Sequence, residues 1–172
     1  MAIEPARPKD ATAIREVARA AWRSDYPLTR ETVAESVDEW YDPERTRAAV
    51  EADDAVVLVA WGDGDDRAAD GTVVGFAHSV VGPRADEATI LRVYVRPDAR
   101  RTDLGTRPVE ATLERLRARD VTDVEATVLD ADDTGAAFYR SLGFEHDRTE
   151  ETVIAGEKHP EAVYVYVDAE DG

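Results

Sequence analysis

The chain has 172 residues, 43% of them hydrophobic, enough for one sizeable core and within the usual size of a single domain, here read as residues 1–172. It contains no cysteine, so disulfide frameworks, thiolate metal sites and cysteine nucleophiles are excluded, and His78, His146 and His159 are scattered without metal-ligand spacing, so no metal is expected. A formal charge of -17 argues against nucleic acid as a partner, and no run approaches the roughly 20 apolar residues of a membrane span, so the expected location is cytoplasmic.

In chain order, Ile3 sits in a short first strand, and Pro8 and Asp10 introduce a helix whose Ile14, Val17, Ala18 and Ala21 recur at helical spacing. A second helical stretch spans about Thr29 to Trp40. Asp42-Pro43 reads as an N-cap followed by proline at the first helical position, opening a short helix toward Val50. β-Branched and aromatic residues then dominate Ala55 to Trp61 and Thr72 to Val81, and the polar segment Gly62 to Gly71 joins these two strands as a hairpin loop. A third strand, Ala88 to Val95, stops at Pro97, which cannot donate to a sheet ladder.

A helix from about Leu104 to Arg119 follows, with Val109, Leu113 and Leu116 as its buried stripe and Pro108 in its first turn, where the missing N–H has no intrahelical partner. Val124 to Leu129 is the next strand. Asp133 caps a helix through Leu142, which Gly143 ends in the left-handed C′ position. Two strands, about Phe144 to Ile154 and Ala162 to Val167, complete an α/β (α+β) order that predicts a mixed sheet with helices on both faces.

The segment from Leu91 to Thr106 runs from a strand through a basic turn into the N-terminus of a helix. Unpaired backbone N–H groups and the macrodipole favour an anion there, and Arg100 and Arg101 add positive charge in an otherwise acidic chain. A basic turn of this kind is equally often a surface accident.

Here the chain resembles the GNAT superfamily of N-acetyltransferases, whose signature is a strand ending in a Val-x-Pro-like step, then [QR]-x-x-G-x-[GA] opening a helix. The corresponding residues are Arg100-Arg101-Thr102-Asp103-Leu104-Gly105, and a second family signature is matched by Asp132 followed by Phe138-Tyr139 and Gly143-Phe144. The opening from Ile3 to Ala11 resembles the family's first strand and helix, so the resemblance covers nearly the whole chain. It implies a central, mixed, mostly antiparallel sheet of about seven strands, acetyl-CoA as cosubstrate, and a primary amine, on a small molecule or a protein, as acceptor.

The resemblance further implies that Val93, Tyr94 and Val95 offer backbone groups to the pantetheine arm. Arg100, Arg101, Thr102, Asp103, Leu104, Gly105 and Thr106 would cradle the pyrophosphate, Asp132 would contact the cosubstrate where the family has Asn, and Tyr139 would protonate the departing thiolate. A phenol of pKa about 10 stays protonated at neutral pH and suits that last role; the same residue also fits a partly buried core tyrosine. Adjacent helical residues point about 100° apart, so Phe138 is expected to fill the core while Tyr139 faces a cleft.

A lysine-like amine is almost wholly protonated at pH 7, so a base is expected, with Glu87 as the candidate and Glu125 as the runner-up. Either also fits an ordinary solvated carboxylate in a chain with 38 acids. The acceptor would lie against the first helices, near Trp22, Asp25 and Tyr26, whose rings and carboxylate suit a cation and equally suit packing.

Asp103 departs from the signature, which expects glycine there. A carboxylate about 4 Å from a phosphate charge is repelled by roughly 1 kcal/mol in water and 4 kcal/mol at an effective dielectric of 20, which Arg100, Arg101 and Arg107 offset in part. The alternative reading is therefore a catalytically degenerate GNAT-fold binding or regulatory module; acylation of a hydroxyl is a third. The acidity itself has two readings: a field that attracts cationic amines, or adaptation to a salt-accumulating, halophilic cell. Carboxylates spread along the chain, with Lys9 and Lys158 the only lysines, favour adaptation, because a functional field is more often clustered. The final strands of such folds often pair across a homodimer.

Overall fold

The computed structural model describes residues 3–25, 41–62, 72–96, 106–129, 133–154 and 156–166. In these, strand β1 (Ile3–Pro5) leads through a 3-10 turn (Pro8–Asp10) into helix α1 (Ala11–Asp25), and helix α2 spans Pro43–Glu51. Strands β2 (Ala55–Trp61), β3 (Val73–Val81) and β4 (Glu87–Val95) follow, then helix α3 (Thr106–Ala118), β5 (Asp123–Leu129) and helix α4 (Asp133–Ser141). Strands β6 (Phe144–Ile154) and β7 (Glu157–Tyr166) close the order. The helix expected over Thr29 to Trp40 lies outside the described residues, as does nearly all of the expected β2–β3 loop.

The seven strands form one sheet in the order β1-β2-β3-β4-β5-β7-β6. Every neighbouring pair is antiparallel except β4 with β5, which α3 connects as a crossover. The mixed, mostly antiparallel α/β sheet expected from the sequence is the one found.

Each face of the sheet has its own core. On one, Val109, Leu113 and Leu116 of α3 and Tyr139 of α4 pack on Leu58, Ala88, Ile90, Val124, Ala126, Val128 and Tyr164. The alternation in β5 explains this: Val124, Ala126 and Val128 are buried on the α3 face, while Glu125, Thr127 and Leu129 point to the other. On the opposite face Ile14, Val17 and Ala18, one stripe of α1, meet Val59, Trp61, Phe76 and Tyr94. Burying a side chain such as Ile14 or Phe76 stabilises the fold by about 1.5–3 kcal/mol.

Three local expectations are refined. Asp42 does occupy the N-cap of α2, but its side chain makes no capping hydrogen bond; its carbonyl accepts from the Thr46 N–H at 2.9 Å. Helix α4 begins at Asp133 itself rather than after it, and Gly143 ends it with φ 96°, in the left-handed region as expected. Strand β7 starts at Glu157, five residues before the predicted Ala162. Pro160 is tolerated there because β5 reaches only to Glu161, leaving the first residues of β7 paired with β6 alone.

Candidate functional site

The distinctive feature of the sheet is the end of its parallel ladder. Strands β4 and β5 pair only from Glu87 with Asp123 to Ile90 with Ala126; beyond that, β4 stays with β3 and β5 stays with β7, and the two part. A β-bulge lies at the point of parting: His78 pairs with Arg92 and Ser79 with Ile90, which leaves Leu91 as the extra residue on β4. A bulge bends its strand and increases its twist, so this one turns the C-terminal half of β4 away from β5. The Leu91 carbonyl at the bend accepts a hydrogen bond from Arg92 Nη1 at 2.6 Å. The parted strands leave an opening in the sheet between the C-terminal halves of β4 and β5.

Val93, Tyr94 and Val95 form the β4 wall of this opening. Val93 packs toward the α3 face, whereas Tyr94 is buried on the α1 face with its ring edge-on to Phe76, centroids 5.7 Å apart. Tyr139 lies on the α3 face. The structure reverses the expected division of labour on α4: Tyr139 is 5% exposed, enclosed by Phe138, Phe144 and Tyr164, while Phe138 is only partly buried. Helical geometry separates neighbouring side chains in angle but does not say which one meets the core.

The carboxylates nominated as bases are placed unequally. Glu87 starts β4, four residues before the bulge, about 13 Å along an extended strand, and its carboxylate faces Arg84, whose N–H donates to Oε1 at 3.3 Å. It is therefore not brought to the opening. Glu125, beside Thr89 within the paired ladder, is held by both Nη atoms of Arg148 at 3.1 and 3.2 Å. Arg100, Arg101, Thr102, Asp103, Leu104, Gly105, Asp132 and Tyr26 lie outside the described residues. Thr106 opens α3, and Trp22 and Asp25 belong to α1, with their side chains outside what is described.

Two groups of residues that sequence reasoning passed over line the α1 face. A partly open pocket of about 50 Å³ is lined by Ile14, Tyr41, Arg45, Thr46, Val57 and His78, among others. The buried Thr46 hydroxyl has no hydrogen-bond partner among the described residues. Burial, and secondarily Arg92, lowers the His78 pKa to about 4, so the imidazole is neutral at pH 7. Tyr41 is pushed up, by burial first and then by Tyr94, with Arg92 opposing as a charge and hydrogen-bond partner. The second group is on β5, β7 and β6. Glu161 of β7 pairs with Leu129 of β5 and Glu150 of β6, and burial raises its pKa, with Arg92 partly offsetting and Glu150 adding to the rise. No sequence motif marks either group; their members converge only through strand pairing.

Among the described residues no group of His, Asp and Glu is arranged to hold a metal ion, and no helix is long and apolar enough to cross a membrane.

A family model described as "Acetyltransferase (GNAT) family" matches residues 12–144. Comparison with curated protein sequences gives no match. Among solved structures, the chain is similar to the PaiA N-acetyltransferase of Thermoplasma acidophilum in complex with coenzyme A, at TM-score 0.77 and 21% identity over 94% of this chain and 98% of that one. It is also similar to a ribosomal-protein-alanine N-acetyltransferase from Brucella melitensis (TM-score 0.69, 24% identity, 98% and 100% covered) and to Arabidopsis thaliana NAA60 in complex with a bisubstrate analogue (TM-score 0.72, 15% identity, 96% and 98% covered). At these identities the likeness shows a shared fold.

Proposed function

Because the chain belongs to the GNAT family of acetyltransferases, we propose that it transfers an acetyl group from acetyl-CoA to a primary amine by direct attack, within the opening between β4 and β5. The parting of those strands at the Leu91 bulge carries this reading. It gives the wall formed by Val93, Tyr94 and Val95 an edge beyond the β5 ladder, along which a pantetheine chain with its amide groups can lie. The coenzyme A bound to the Thermoplasma neighbour supports the same choice of donor. Thr106 stands at the N-terminus of α3, where a pyrophosphate is favoured by the helix dipole, with Arg100 to Gly105 preceding it in the chain and Asp132, next to the start of α4 in sequence, as a further contact.

The two faces then divide the work. Tyr139 approaches from the α3 face and the amine from the α1 face, where Trp22 and Tyr26 would flank it; the reactants meet where the sheet is open. The amine nitrogen attacks the thioester carbonyl carbon, a C–N bond forms as the C–S bond breaks, and the Tyr139 phenol gives its proton to the leaving sulfur. A phenol of ordinary pKa about 10 keeps its proton at neutral pH and has it available for that transfer.

Calorimetric titration of acetyl-CoA at molar potassium chloride, paired with a thiol-release assay over primary amines, tests the reading. Micromolar binding and amine-dependent thiol release are expected. Tyr139→Phe keeps the ring packing and should lower kcat by about 100-fold or more with the acetyl-CoA affinity unchanged. Binding restored only by Asp103→Gly would instead show a degenerate phosphate loop and favour the non-catalytic module.

A further inference from the structure

Strand register puts Glu125 of β5, Glu161 of β7 and Glu150 of β6 on the α1 face, the face opposite Tyr139. Their circumstances differ. Arg148 lies over Val163 and reaches both ways, gripping Glu125 with its two terminal nitrogens and Glu150 through Nε at 2.8 Å, while Asp147 takes a further contact at 2.8 Å. Both carboxylates are thereby committed. Glu161 is half-buried and makes no side-chain hydrogen bond or ion pair among the described residues. It pairs with Leu129, three residues past the last β4–β5 pair at Ala126, so it stands at the level of the β4 wall, one strand behind the β5 edge of the opening and on its α1 face.

We propose that Glu161 binds the acceptor as an ammonium ion and takes its proton, and hence that the acceptor is a primary amine that is cationic at neutral pH. This rests on the acetyltransferase reading of the same opening. The groups facing Glu161 fit the role. Arg92, from β4 across the opening, opposes the rise that burial gives the carboxylate; Tyr41 and Tyr94 lie with Arg92 on the same α1 face, Glu150 and Arg148 adjoin Glu161 from β6, and Glu125 lies farther along β5. A carboxylate with a raised pKa is a stronger base than a solvated one, and a cation bound to it would displace no hydrogen bond or ion pair among the described residues.

The protons balance. Glu161 takes one from the ammonium, freeing the lone pair for attack on the acyl carbon. Tyr139 gives its own to the sulfur as the C–S bond breaks, and recovers one from the nitrogen as it becomes an amide. Glu161 then releases its proton to solvent, so each turnover yields the acetylated amine, the thiol and one proton.

The test compares native protein with Glu161→Gln and Glu161→Asp. Spermidine, an alanine-initiated peptide and a lysine-centred peptide serve as probes in the thiol-release assay from pH 6 to 10, with acetyl-CoA affinity measured in parallel. The expected result is acetylation of at least one probe by the native protein. Glu161→Gln should bind acetyl-CoA within twofold of native but lose about 100-fold in kcat/KM at pH 7, a deficit that shrinks as pH rises and the amine deprotonates unaided, while Glu161→Asp recovers part of the rate. A Gln variant within threefold of native, with an unshifted pH profile, overturns the role of Glu161 and leaves the acetyltransferase reading standing. Native protein that binds no acetyl-CoA overturns that reading; native protein that binds it but acetylates none of the probes overturns the assignment of a cationic amine.

Discussion

At the scale of single residues, a histidine kept neutral inside a fold ties stability to pH. His78 has a folded pKa of about 4, against about 6.5 when unfolded. Its contribution is therefore complete above about pH 6.5, declines as the unfolded chain takes up a proton that the folded chain refuses, and levels off below about pH 4. The expected slope is at most about 1.4 kcal/mol per pH unit. Subtracting urea-denaturation free energies of His78→Gln from those of the native protein between pH 4 and 8 isolates it from the carboxylates, and a flat difference would contradict the burial of the imidazole. Residues of this kind were poorly legible in the sequence. Tyr139 stands out in the sequence because it sits in a family motif, yet its burial relative to Phe138 is the inverse of the expected one, since the 100° between them carries no sign. Glu161 is one of many acids, and only its pairing with Leu129 distinguishes it.

Secondary-structure elements were far more readable, because their signals are local. The valine-rich runs of β2 and β3, the stripe of α3 and the glycine after α4 all fell within a residue or two of their predicted places. Features that need two strands at once were not readable: the Leu91 bulge exists only as a mismatch between β3 and β4, and the early start of β7 depends on β5 ending where it does. Gly75 is another such feature. It pairs with Val95, and a methyl group placed on it would stand 2.9 Å from the Tyr94 carbonyl oxygen and 3.2 Å from a Val95 methyl. The carbonyl is backbone and cannot swing aside, so Gly75→Ala must push β4 outward. We expect a loss of about 1–3 kcal/mol in stability, read by thermal denaturation. Acetyl-CoA affinity should weaken as well, because the displaced residues are the wall of the opening; a variant as stable as native would mean that β4 yields freely there.

For the whole molecule, the formal charge of -17 is the dominant electrostatic fact. Charge of one sign repels itself in a compact state, and the repulsion is screened as the Debye length falls from about 10 Å at 0.1 M salt to about 3 Å at 1 M. The melting temperature is therefore expected to climb as potassium chloride is raised through that range. A constant or falling melting temperature would contradict the expectation, read from the spread of carboxylates, of adaptation to a salt-rich cell. The same sheet carries a kinetic consequence. Its halves, β1 to β4 and β5 to β7, are each built of antiparallel neighbours, and the two strands with the longest ladder, β6 and β7, follow each other closely in the chain, with Ile154 already paired to Glu157. Among the described residues, only four strand pairings, Glu87–Ile90 with Asp123–Ala126, join the two halves of the sheet, and they must find each other across the whole of α3. Loop closure makes such a seam the slow step of assembly. The place where substrates are to meet is thus set beside the last stitch to close, and a chain that fails to fold would be expected to stall as two preformed leaves with no opening between them.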